Sequence, residues 1–109
     1  MNPHRLAEER SLAFHRAVAA RVLADPSLLV RARERVRGWL ASGDVHPDYA
    51  AAWAEILDQP VTELVQLLVS GSESARALRQ STPFAGFLPP RERWAIWREV
   101  GRAQSGAEP

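Results

Sequence analysis

The chain has 109 residues, no cysteine and a formal net charge of +1. That predicts one domain long enough to bury a core, and it excludes disulfides, thiolate metal sites and a cysteine nucleophile. No stretch approaches the roughly 18 apolar residues of a membrane span, and charges interrupt the N-terminus where a signal peptide keeps an apolar run, so a cytoplasmic protein is expected.

All 14 basic residues are arginine. This is read first as the coding bias of a GC-rich genome, since phosphate contacts do not require lysine to be absent. Residues 1–40 hold eight arginines and four acids, 41–75 six acids and no arginine, and 76–109 six arginines and three acids. The basic ends can therefore fold over the acidic middle or offer two patches to a polyanion.

In chain order, a first helix is predicted from Pro3 to Ala24, with Ala7, Ser11, Phe14, Val18 and Val22 along one face. Leu12, Ala19 and Leu23 form a second stripe, so this helix either packs on two sides or uses that stripe for self-association. Asp25 and Pro26 open a second helix that Gly43 stops near Ser42. Its buried face is Leu29, Ala32, Val36, Trp39 and Leu40, bordered by Arg31 and Arg35 on one side and by Arg33 and Arg37 on the other. Pro47 opens a third helix with Tyr49, Ala50, Trp53, Ile56 and Leu57 aligned.

The stretch after Pro60 is apolar on nearly every side and must sit inside, with Asp58 as a plausible cap. Gly71 is expected to close it in a left-handed conformation, and Ser72 to cap a short helix from Glu73 to Gln80. Together they have the shape of a helix-turn-helix. Residues 81–90 hold three prolines and a glycine and cannot be helical. Because Phe84, Phe87 and Leu88 make that loop apolar, it must pack against something. A last helix starts at Pro90. The expected fold is all-α: a compact orthogonal bundle of about five helices over residues 1–103, with a flexible tail over 104–109.

Little in the chain suggests bond chemistry. His4 and His15 are eleven residues apart on one helix, about 16 Å at 1.5 Å per residue, too far to share a metal ion. There is no phosphate loop, H-E-x-x-H, nucleophile elbow or EF-hand loop, so neither enzymatic activity nor a cofactor or metal is expected. Recognition remains. Phe84, Phe87, Leu88, Trp94 and Trp97, with Arg91 and Arg93 and with Arg98 beside them, are of the types that anchor protein interfaces. Ser74, Arg76, Arg79 and Gln80 on the short helix, with Arg31 and Arg35, are of the types that read bases or hold phosphates.

The segment SESARALRQSTPFAGFLPPRERWAIWREV, Ser72 to Val100, resembles the ending of a family of small helical bacterial proteins, and RVRGWLASGDVHPDYAAAWAEIL, Arg35 to Leu57, is similar to their middle. Such proteins tend to be encoded beside toxin-like genes. The resemblance implies an antitoxin-type module that binds and neutralises a toxin protein from a neighbouring gene, and that also binds its own operator DNA. A stand-alone helix-turn-helix DNA-binding protein and a homodimeric adaptor are the alternative readings.

Overall fold

Local chemistry sets the helix ends. In the computed structural model, which describes residues 2–106, the Asn2 side chain accepts the His4 N–H at 2.9 Å and opens α1 (Pro3–Ala24). The second helix, α2 (Leu28–Ser42), begins slightly later than Pro26, because Asp25 Oδ1 takes the Ser27 N–H at 3.2 Å and its hydroxyl at 2.5 Å. Gly43 closes α2 at φ 76°, returning its N–H to the Trp39 carbonyl at 2.9 Å, a conformation that costs any other residue a Cβ clash. A histidine caps α3 (Pro47–Leu57): His46 Nδ1 accepts the Asp48 N–H at 3.1 Å.

Three more helices follow, α4 (Val61–Leu68), α5 (Glu73–Arg79) and α6 (Pro90–Gly106), so the all-α chain has six helices among its described residues where about five were expected. Ser72 caps α5 through the Ala75 N–H at 3.2 Å. Asp58 does not cap α4; it terminates α3, and Pro60 precedes α4 with no side-chain cap. Gly71 is not left-handed. The end of α4 is held instead by Arg79, whose Nη1 donates to the Leu68 and Ser70 carbonyls at 3.3 and 2.7 Å.

Nor is α4 buried all round. Leu64 and Leu68 are sealed, whereas Leu67 faces solvent. Of the tail expected over residues 104–109, α6 takes in everything up to Gly106, and 107–109 lie outside the described residues.

The core joins Val18 and Val22 of α1 to Leu29, Ala32 and Val36 of α2, Trp53 and Leu57 of α3, and Leu64 and Leu68 of α4. Leu40, assigned to this interior by periodicity, points outward. The loop supplies the rest. Pro83, Phe84 and Leu88 are buried, and the Phe84 ring meets Phe87, Trp53 and His15 edge-on at 5.2, 6.0 and 6.5 Å.

α2 packs on α3, and α1 is covered by α4 and α5 on one side and by α6 on another. Arg10 meets Trp97 while Arg21 pairs with Glu92, so α1 and α6 run antiparallel. The helix packed on two sides is thus realised, but along Leu6, Arg10 and Arg21 and not along the second stripe. Leu12 is half-buried, Ala19 belongs to the core and only Leu23 is exposed, so these three residues form no continuous exposed stripe. No described helix is long and apolar enough to cross a membrane.

Replacing Phe84 by Ala is expected to cost about 3 to 5 kcal/mol in a denaturant titration, the range for emptying a phenylalanine-sized core site. Trp94→Ala, at a ring 59% exposed, should move the same midpoint by no more than about 0.5 kcal/mol.

Candidate functional site

The helical period divides α6 into two faces. Glu92, Ile96 and Val100 recur every four residues and are half-buried, so this side is the seat of the helix. Trp94 and Trp97, one turn apart, emerge elsewhere with 59% and 48% of their surface in solvent. Their rings meet edge-to-face at 5.5 Å, a geometry that two neighbouring indoles adopt without an enclosing core.

Arg10 of α1 crosses to this face. Its guanidinium carbon lies 3.6 Å from the Trp97 ring centroid and its Nε donates to the Trp97 carbonyl at 3.2 Å. Gly101 makes room for the crossing, since a Cβ there would come within 2.9 Å of Arg10 Nη2. Arg10, Leu6, Trp97, Arg98, Gly101 and Arg102 line an open groove of about 710 Å³. Arg93 and the two tryptophans line a second hollow of about 350 Å³.

The residues predicted to meet a partner therefore separate. Trp94, Trp97, Arg91 and Arg93 are exposed on α6. Phe84 and Leu88 are not available, being 0% and 2% exposed plugs of the core. Phe87 is half-buried, with Arg31 and Arg35 over its ring at 4.6 and 5.8 Å. Arg10 and Arg102 were missed, and Arg98 was read only as a neighbour of the rings. The two on α6 were readable, since Arg98 follows Trp94 by one turn and Arg102 follows Arg98 by another. Arg10 is 87 residues from Trp97, beyond the reach of any local pattern.

The nucleic-acid set is not brought together. Arg79 is buried beneath the end of α4, so it cannot read a base. Arg76 donates twice to the Gly71 carbonyl, at 3.1 and 2.9 Å, and lies 3.8 Å from Glu8. Ser74 on the seven-residue α5 and Gln80 just past its end are exposed, but α5 packs against α1. On the far border of α2, Arg35 Nη1 donates to the Pro83 and Ala85 carbonyls at 2.9 and 2.7 Å, and Arg31 lies over Phe87. These two arginines hold the loop in place of a phosphate ridge.

One buried titratable residue had no role assigned to it by sequence. His15 is 1% exposed, with Nδ1 2.8 Å from the Ser11 carbonyl and Nε2 2.9 Å from Thr82 Oγ1. A carbonyl can only accept, so Nδ1 carries the proton and the Thr82 hydroxyl donates to Nε2. Thr82 Oγ1 in turn accepts the Phe84 N–H at 3.1 Å. Burial pushes the imidazole pKa down to about 4; the Ser11 bond opposes this shift and the charge of Arg79 adds to it. His15 is therefore a neutral strut between α1 and the loop. Among the described residues no group of three or more His, Asp or Glu is placed to hold a metal ion. No family model, curated protein or solved structure matches the chain.

The pH dependence of stability follows from His15. The unfolded imidazole takes a proton near pH 6.5 and the folded one only near pH 4. Its contribution is complete above 6.5 and is lost as the pH falls toward 4, about 3 kcal/mol in all. Urea titrations of the wild type and His15→Gln across that window should differ by this slope, with the variant the flatter of the two.

Proposed function

We propose that the chain is a non-enzymatic protein-binding module that docks its partner through the Trp94 and Trp97 face of α6. Following the resemblance of Ser72 to Val100, the partner is a toxin encoded by a neighbouring gene, which the module neutralises. One observation carries the docking reading: two tryptophans, 59% and 48% exposed, sit side by side on a helix whose other face is already seated on α1. Contiguous apolar surface of this kind is characteristic of interaction sites, and tryptophan and arginine are the residues most enriched among interface hot spots. The four arginines at positions 10, 93, 98 and 102 that line the two hollows supply the polar surround of such an anchor. Operator binding through α5 finds less support, because Arg76 and Arg79 are tied to backbone carbonyls.

Co-expression with the neighbouring gene product tests this reading. The wild type should co-purify with that product and relieve its toxicity. Trp94→Ala and Trp97→Ala should each weaken the complex by about thirtyfold or more, the loss of a 2 kcal/mol hot spot, while both variants stay folded. Undiminished binding by the double variant would move the interface elsewhere.

A further inference from the structure

The groove between α1 and α6 has a charge pattern that selects a partner. Arg98 and Arg102 stand one turn apart on α6 and Arg10 reaches in from α1, so three guanidinium groups share one hollow with Leu6 and the Trp97 ring. Neither acid of α6 lines it: Glu92 pairs with Arg21 on the seating side, and Glu99, one turn before Arg102, is exposed outside the hollow. Holding three like charges together is unfavourable until an opposite charge arrives.

Arg10 is also pre-set. Stacking on Trp97 and the Nε bond to the Trp97 carbonyl fix its plane, and no described residue accepts from its Nη1 or Nη2. A guanidinium oriented in advance, with its terminal donors open to a groove, presents the two parallel N–H groups that a carboxylate accepts.

We infer that this groove receives an acidic, amphipathic segment of the protein partner, carboxylates on Arg10, Arg98 and Arg102 and apolar side chains on Leu6 and the tryptophan pair. The inference rests on the protein-docking reading and adds the chemistry of what docks. Single-stranded nucleic acid fits less well. Arg10 covers one face of Trp97 and Trp94 meets that ring edge-on, so the indoles form no parallel slot for a base. Three arginines also neutralise few phosphates, and polyanion affinity grows with the number neutralised.

The test uses the full chain and two fluorescein-labelled helical peptides, one with leucines on one face and glutamates on the other, the second with every glutamate replaced by glutamine. Fluorescence anisotropy should give the glutamate peptide an affinity at least about tenfold higher, a preference that falls with added salt and disappears in Arg98→Gln/Arg102→Gln. Gly101→Ala keeps every arginine and tryptophan and favours the helix, but it displaces Arg10; it should reduce the preference while the protein stays folded. Equal affinity for the two peptides overturns the acidic selectivity and leaves docking through the tryptophans standing. Failure of both peptides to bind overturns the groove as a site, and the neighbouring gene product then decides the wider reading on its own. Tighter binding of an oligothymidylate than of the glutamate peptide overturns the inference in favour of nucleic acid.

Discussion

The fold depends on keeping an apolar, non-helical loop inside. A buried loop has no ladder of its own to satisfy its backbone, so each polar group on it needs a partner from elsewhere. The segment around Phe84 finds them at long range. Arg35 of α2 takes the carbonyls of Pro83 and Ala85, Thr82 takes the Phe84 N–H, and His15 of α1 takes the Thr82 hydroxyl. Trp53 closes the ring cluster from α3 and donates its indole N–H to the Leu78 carbonyl at 3.2 Å. Phe84 and Leu88 thereby complete the core, which Ile96 of α6 touches and the two tryptophans do not.

The same need to satisfy carbonyls accounts for much of the arginine. Arg33 closes the end of α3 through the Leu57 carbonyl at 3.1 and 2.9 Å, Arg79 the end of α4, Arg76 the turn at Gly71, and Arg35 the loop. Short helices leave a large share of their carbonyls without intrahelical partners. A planar fork can reach two acceptors, or one acceptor twice, where a lysine ammonium is a less directional donor. Much of the basic character that reads in sequence as a polyanion surface is therefore consumed within the protein, and the arginines of the α1–α6 groove stand out against that background.

What could be read from the sequence follows from how far each signal extends. The helices and most of their ends were legible because caps and breakers act within four residues: Pro3, Gly43, Pro47, Ser72 and Pro90 all stand where expected. Which apolar residues are covered was legible only in part. Leu40 shares the periodicity of core residues and Leu23 that of the second stripe, yet each sits near a helix end with about half of its surface in solvent. In the proline-rich loop there is no period at all, so nothing local separates the buried Phe84 and Leu88 from the half-buried Phe87. The surplus of rings near the C-terminus was visible, but its division between core and surface was not. His15 escaped for a related reason, since its partner Thr82 lies 67 residues away.

α1 joins the two halves of this arrangement. One side carries Val18, Val22 and His15 into the core and the other carries Arg10 and Arg21 to α6, so the residues that hold the fold and those that meet the groove occupy different faces of one helix. α6 is seated chiefly on α1, with Ile96 its contact with the core. Side chains on its outer face can therefore change without opening a cavity, because none of them contributes volume to the interior. The stability of the domain is set instead by the residues that α1 to α4 and the loop bury.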